Sequence, residues 1–339
     1  MKSIIDKYKK IRKLNSLSKS YKGKYAFVGI GNHSLNNLYP VLHYLNVDLK
    51  YIVSKSEDTA RSIDANYFSI EGTNDFNKVL DDPEISGVFI CTNPSSHFSL
   101  VKSALKRNKN VFVEKPPCQN LQELNEIIEI EKNSKAKVIV GFQKRYAPVF
   151  LKMKKYINSG YYKLTYNTGM YPEGDALTDL FIHPIDLINY LFGKPEIVSV
   201  MNSGNNKTIL LHTKHDNGIL GTVELSTENW WARAKETLIY NSSKYIFETV
   251  NTQKLLRLDK PKAIAGIPLE KINTPVISQT ILYEQNQFLP LVQNNELYSA
   301  GYYNEIKTFL NICENHSNKN LSGLQDIVNT YITIDEISR

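Results

Sequence analysis

The chain has 339 residues, 42% hydrophobic and 22% charged, with a formal net charge of +7 and three cysteines. That length points to two domains, and the composition excludes a disordered or low-complexity chain. No apolar run approaches the roughly 20 residues of a membrane span, no secretory signal opens the chain, and the scattered Cys91, Cys118 and Cys313 fit a reducing cytoplasm better than a disulfide framework.

The charge is concentrated at one end. Residues 1–24 carry nine basic residues against Asp6 alone, which leaves the rest of the chain near neutral. A nucleic-acid surface and stable membrane insertion are therefore not expected. Ile4, Ile5, Tyr8, Ile11 and Leu14 recur at helical spacing, so the arm over 1–22 reads as a short amphipathic helix. A helix packed on its own domain or a frayed solvated end is one reading of that arm, and a membrane-surface or partner-binding element is the other.

From Lys24 the pattern is regular. The strand "KYAFVGIG" precedes a helix from Ser34 to about Leu45, and "DLKYIVS" precedes a helix over "SEDTARSIDAN". Strands "GVFICTN", "NVFVEKP" and "KVIVGFQ" follow, separated by the helices "HFSLVKSALKRN" and "LQELNEIIEIEKNSK". This alternation predicts a doubly wound parallel sheet of Rossmann type over 23–148. Past Pro148 a helix over 150–158 and the helical "ALTDLFIHPIDLINYLFG" lead into alternating segments, "EIVSVMNS" through "KYIFETV". Asp216-Asn217-Gly218 between two of them is a hairpin signal. A second α/β domain over 149–339, built on a large and mostly antiparallel sheet, is the expectation.

Gly29-Ile30-Gly31-Asn32-His33-Ser34 is a dinucleotide fingerprint with serine at its third small position, placed between a strand and a helix. The first glycine permits the tight turn, and the second lets backbone approach a pyrophosphate at a helix N-terminus. The second strand ends in Ser54-Lys55-Ser56 with no carboxylate where NAD recognition would place one. Lys55 would balance a 2′-phosphate, so NADP(H) is favoured and NAD(H) is the alternative. Glu57 and Asp58 read as the first turn of the next helix.

Lys115 follows a buried strand and precedes Pro116 and Pro117, which fix its backbone and bar a helix from absorbing it. Doubly wound sheets bind ligands at that end of their strands. Asp179, His183 and Asp186 would share one face if their segment is helical, and an acid beside a histidine suits general acid–base work. Loss of a hydride from a carbinol carbon must be matched by loss of the hydroxyl proton. A lysine ammonium to stabilise alkoxide character and a histidine to take that proton meet this need.

In this order, the fingerprint, "CTNPSSH", "VFVEKP", "VGFQKRYAP" and "DLFIHPIDLINYLFG" resemble the motifs of the glucose–fructose oxidoreductase and inositol dehydrogenase family, called Gfo/Idh/MocA. The resemblance runs from about Lys24 to the C-terminus. It implies hydride transfer between NAD(P) and a carbon of a sugar, cyclitol or nucleotide sugar. It gives Lys115 contact with the reacting hydroxyl and the nicotinamide ribose, makes His183 the proton donor or acceptor, and sets Asp179 beside it. Thr92, Asn93, Pro94 and His97 match the segment lining the cofactor path, with Glu114 and Pro116 flanking Lys115. Arg145 and Tyr146 match a stretch entering the cleft between domains. Phe181 stands where the family has glycine in Asp-x-Gly-x-His, and the glycine-rich turn before it is reduced to Gly174 next to Asp175. The resemblance also implies a homo-oligomer, a dimer or tetramer formed through the exposed face of the second sheet. A redox-neutral glycosidase that retains NAD and a non-catalytic NAD(P)-binding sensor or scaffold are the alternatives.

Three further features stand apart. His212 and His215 are spaced as metal ligands but flank a turn that supplies only Asp216, so no metal site is expected. Cys118 reads as a free, inert thiol. Trp230 and Trp231 are suited to stacking on a sugar ring and equally to packing in a core or subunit interface.

Overall fold

A computed structural model describes residues 4–9, 11, 21–66, 70–172, 174–261, 263–273, 278–286, 288–289, 291–317 and 319–339. Residues 4–9 are helical and exposed, and Leu14 lies outside the described residues. Tyr21 is buried and donates its hydroxyl to Asn311.

Six strands form the first sheet: β1 Lys24–Val28, β2 Asp48–Val53, β3 Glu71–Thr73, β4 Ile85–Ile90, β5 Asn110–Val113 and β6 Val138–Val140. All pair in parallel in the order β3-β2-β1-β4-β5-β6, the doubly wound dinucleotide arrangement. The apolar runs of β1, β4 and β5 follow from burial on both faces. Short polar residues set the connecting helices. Asp75 caps Phe76–Asp81, Asn93 caps Pro94–Lys106 with proline at its first position, and Asn120 caps Leu121–Lys132 while Glu123 reaches back to Gln119 N–H at 2.8 Å. The strand β3 and the helix after it escape periodicity because each is too short to show a repeat.

Eight strands form the second sheet. They are β7 Tyr161–Asn167, β8 Pro195–Asn202, β9 Thr208–His215, β10 Leu220–Ser226, β11 Lys235–Asn241, β12 Tyr245–Val250, β13 Lys254–Asp259 and, after the two-residue strands β14 Ala263–Ile264 and β15 Ile267–Pro268, β16 Ser278–Glu284. Only β7 and β10 pair in parallel. The Asp216-Asn217-Gly218 signal holds: Gly218, at φ +79°, closes the β9–β10 hairpin. Alternation is clean along β9, where Ile209, Leu211, Thr213 and His215 are buried and the residues between them face outward. That alternation separates the HxxH pair. His215 packs inward on Tyr162 and Gly193, while His212 faces out and meets Ser199.

The inner face of this sheet packs against the helix Ile182–Phe192, with Tyr162 stacked on Phe192 at 4.2 Å. The chain then returns to the first domain. Helix Tyr302–Cys313 covers one face of the parallel sheet, where Phe309 meets Phe89 at 4.9 Å and Phe112 at 6.0 Å. The expected division at residue 148 therefore does not hold for this helix, which belongs to the layer around β1, β4 and β5. Its buried stripe, Ile306, Phe309 and Leu310, is what carries it there.

Candidate active site

The carboxyl ends of β1, β4 and β5 converge on one edge. Gly29, at φ +92°, turns the chain out of β1, and a Cβ there would fall 2.6 Å from the Cys91 carbonyl oxygen. Glycine is required by both counts. A Cβ on Gly31 would meet nothing within 4 Å, so the turn opens onto free space. Ile30 is half-buried, whereas Gly31, Asn32 and His33 are exposed and Ser34 is buried, its hydroxyl closing the turn on Gly31. An open glycine turn ahead of a helix is the shape against which a pyrophosphate can lie. The helix behind it differs from the expected regular one: it is π-wound over Ser34–Leu38 before continuing as Tyr39–Tyr44. Ser54 and Lys55 lie at the end of β2, Lys55 exposed, and Glu57 pairs with Arg61 at 2.5 Å in the following helix rather than facing the strand end.

Lys115 is half-buried at the end of β5, where its Nζ donates to the Asp179 carbonyl oxygen at 2.5 Å. The peptide bond from Lys115 to Pro116 is cis. Burial lowers the lysine pKa, opposed by the charges of Glu114 and Asp179. Glu114 is buried beneath it and lies 3.5 Å from His33 Nε2. It also leaves no room at Gly141, where a Cβ would sit 3.0 Å from its carboxylate.

His183 opens the helix Ile182–Phe192 beyond a break at Phe181, with the π-wound turn Ala176–Leu180 before it. Its Nδ1 is buried and has no hydrogen-bond partner among the described residues. Burial, reinforced by the charges of Lys115 and Lys144, holds its pKa well below the usual value, so the ring is neutral and able to accept a proton. Asp179 is pushed the other way by burial, which Lys115 opposes. Its carboxylate lies over Gly174, where a Cβ would be 2.2 Å from Oδ2, so the one glycine kept in that turn makes room for the acid.

Several expected site residues sit elsewhere. Asp186 does not join Asp179 and His183. It is 1% exposed and takes both Arg145 nitrogens, Nε at 2.8 Å and Nη2 at 2.6 Å, along with the Thr330 hydroxyl. Arg145 and Tyr146 do not enter the cleft. Arg145 also donates to the Leu321 and Asp326 carbonyls, and the Tyr146 hydroxyl meets Ser322. The reason is the tight turn Gln143–Tyr146, which sends neighbouring residues to opposite sides. Gln143 and Lys144 face the cleft instead, and no periodicity in "GFQKRYAP" reveals it. His97 does not line an open path. It is fully buried, its ring nitrogens 2.8 and 2.9 Å from the Pro116 and Thr92 carbonyl oxygens, and so ties the loop after β4 to the Lys115 turn. Thr92 is half-buried and Asn93 exposed, with Asn93 capping the helix that Pro94 opens. Cys118 is buried, its thiol pushed up to about 12 by burial.

A cleft of ≈ 630 Å³ lies between the first helix of the parallel sheet and the end of β7 and β11. Its wall includes Lys144, Tyr166, Trp231, Glu236 and Tyr302. Lys115, Asp179 and His183 are not in that wall; the link between them runs through His33, 3.5 Å from Glu114 and 5.9 Å from the Tyr302 ring, and through Phe181, which Tyr166 meets edge-on at 6.3 Å.

Two family profiles match this chain, one described as "Oxidoreductase family, NAD-binding Rossmann fold" over residues 23–142 and one as "GFO/IDH/MocA C-terminal domain" over 156–246. The chain belongs to the Gfo/Idh/MocA oxidoreductase family. Within it, the chain is 33% identical over 174 residues to scyllo-inositol 2-dehydrogenase (NAD(+)) of Bacillus subtilis, covering 44% of this chain and 51% of that protein. It is 36% identical over 149 residues to the uncharacterized oxidoreductase YhhX of Escherichia coli, covering 39% and 43%. The chain thus spans about half the length of these curated relatives. The fold extends further. A dehydrogenase (MviM) from Clostridium difficile superposes with TM-score 0.75 at 16% identity over 94% of this chain and 99% of its own. The UDP-N-acetylglucosamine 3-dehydrogenase GnnA of Acidithiobacillus ferrooxidans does so with TM-score 0.73 at 16% identity, over 93% and 96%. No helix among the described residues is long and apolar enough to cross a membrane.

Proposed function

We propose that this Gfo/Idh/MocA protein is an NAD(P)-dependent oxidoreductase acting on a hydroxyl or keto carbon of a sugar, cyclitol or nucleotide sugar. The observation that carries it is Lys115 Nζ, delivered by β5 and bonded to the Asp179 carbonyl one turn before a neutral His183 whose Nδ1 has no partner among the described residues, at the sheet edge that also bears the open Gly29–Gly31 turn. A bound nicotinamide supplies the two-electron acceptor or donor. The substrate hydroxyl proton passes to the His183 imidazole as the C–H bond breaks with its electron pair and the C=O forms. Lys115 stabilises the negative charge that develops on that oxygen. His97 and Pro116 hold the lysine turn, and Glu114 bonds the Lys115 backbone N–H at 3.3 Å.

NADP(H) is the preferred cofactor, supported by exposed Lys55 at the end of β2 and by the absence of a carboxylate there. The protein forms a homo-oligomer through the outer face of the second sheet, where Met201, Leu210, Leu220 and Ile239 are exposed together. The test is nicotinamide absorbance with NADP⁺ or NAD⁺ and a panel of polyols, sugars and nucleotide sugars. Turnover by wild type and none by Lys115→Met supports the reading. Equal rates in both proteins refute it.

A further inference from the structure

Trp231 is an exposed aromatic residue held in one place. Its indole is 55% exposed, yet Nε1 donates to the Met170 carbonyl at 3.0 Å and the ring lies on Gly169. A Cβ at Gly169 would fall 2.5 Å from Trp231 Cδ1, so that glycine exists to let the indole lie flat. The bond and the glycine contact fix the ring in place while leaving much of its apolar surface exposed, which is the form of a stacking platform. A ligand can cover that surface.

The rest of the cleft says which kind. Six wall residues are carboxamides, Asn36, Asn37, Gln143, Asn251, Gln253 and Asn295, of which Asn37 and Gln143 already engage their NH2 groups with His33 and Tyr302. Two of them are set by their oxygens, Asn251 accepting from Glu236 N–H at 3.0 Å and Asn295 from Leu297 N–H at 2.8 Å. The NH2 groups of Asn251 and Asn295 have no partner among the described residues and can donate to an oxygen ligand. Charge is balanced. The wall holds Lys144 and Lys235 against Glu236 and Glu296, and Lys144 is already spent in an ion pair with Glu236 while lying 4.5 Å from the Tyr166 ring centre. A diphosphate would find one uncommitted amine and two carboxylates, with no arginine to hold it in a fork. Amides that match hydroxyl groups and an indole face that matches the C–H face of a pyranose are the complement of a neutral sugar. The volume, ≈ 630 Å³, far exceeds a single ring, and Trp231 stands at the end of β7 and β11.

We propose that this cleft is a second sugar subsite, with Trp231 as its platform, and that the substrate is an uncharged glycoside of at least two units whose far ring stacks on Trp231 while the near ring meets Lys115 and His183. The proposal rests on the oxidoreductase reading for the near ring and stands on the cleft alone for the far one.

The chain has only two tryptophans, Trp230 and Trp231, so Trp230→Phe leaves Trp231 as the sole indole reporter. Its emission is titrated with glucose, cellobiose, maltose, trehalose and UDP-glucose in the presence of NADP⁺, and turnover is followed in parallel by nicotinamide absorbance. At least one disaccharide is expected to shift the emission and to bind about tenfold more tightly than glucose, as one stacking contact supplies. Trp231→Ala is expected to collapse that preference toward unity, whereas Trp230→Ala preserves it. An emission shift without hydride transfer for any sugar would sink the oxidoreductase reading and leave the subsite standing. Turnover of a disaccharide with unchanged Trp231 emission, or a UDP-glucose affinity well above that of every disaccharide, would overturn the subsite. So would quenching that depends on protein concentration alone, which would place Trp231 between two copies of the chain.

Discussion

Lys115 and Arg145 are both cations withdrawn from water near the carboxyl end of the parallel sheet, and they are treated in opposite ways. Arg145 is 3% exposed and well bonded, with Asp186 in a two-point ion pair and two backbone carbonyls bringing the total to four of its five donors. Lys115 has one carbonyl partner for its ammonium among the described residues, and nearby His183 keeps a buried nitrogen with none. A cation so fully bonded and ion-paired is a structural pin. A lysine short of partners near a neutral imidazole is the arrangement that the proposed reaction needs, with substrate supplying the missing bonds. The difference teaches where to look for chemistry in this fold: among polar groups left short of partners rather than among the best-bonded ones.

The largest effects should separate the two. Lys115→Met or His183→Ala is expected to lower turnover by on the order of 10²–10⁴-fold, with dinucleotide affinity retained in a thermal-shift titration. Asp186→Asn is expected to act on the fold, destabilising it by about 3–5 kcal/mol in urea unfolding, since it strands a buried guanidinium. A stable Asp186→Asn protein with lost activity would reverse the two assignments.

Glu305 sharpens the same contrast by a smaller amount. It is fully buried, neither carboxylate oxygen has a partner among the described residues, and burial raises its pKa well above the ordinary value. The native protein therefore holds a proton that the unfolded chain releases above about pH 4.3, so stability declines as pH rises from there toward the folded pKa. Glu305→Gln should flatten that decline, with melting temperatures of mutant and wild type diverging as pH rises. Parallel curves would show that the acid finds a partner.

The pH–rate profile should bear the mark of the Lys115 and His183 site. His183, held neutral, should keep the oxidative direction active well below the usual histidine pKa of about 6.5. Loss of the Lys115 ammonium should bring the alkaline limb in below 10.5. A limb at the ordinary histidine value would mean a solvated base. The smallest effect is at the surface: Lys55→Glu should shift preference from NADP⁺ toward NAD⁺ several-fold without touching the fold, and an unchanged ratio would remove Lys55 from cofactor choice.

Much of the site was legible because its parts are locally encoded. A glycine that must turn a strand, a lysine before two prolines and a histidine four residues after an acid are each visible in a short stretch. What stayed hidden depends on direction rather than pattern. Arg145 and Lys144 are neighbours in sequence and face opposite sides of one tight turn, and Asp186 has the spacing to join His183 but is captured by Arg145 across the core. The return of helix Tyr302–Cys313 to the first sheet is likewise a matter of long-range packing, which no local repeat announces. Trp231 was visible as a residue, while its rigid, uncovered setting on Gly169 needed the coordinates.

The most direct test of the central claim is hydride transfer itself, measured as nicotinamide absorbance for wild type and Lys115→Met with NADP⁺ and a panel of neutral sugars and glycosides. The account predicts NADPH formation by wild type with at least one of them and none above background by a Lys115→Met protein that still binds NADP⁺. NADPH formation at the same rate by both proteins would contradict it.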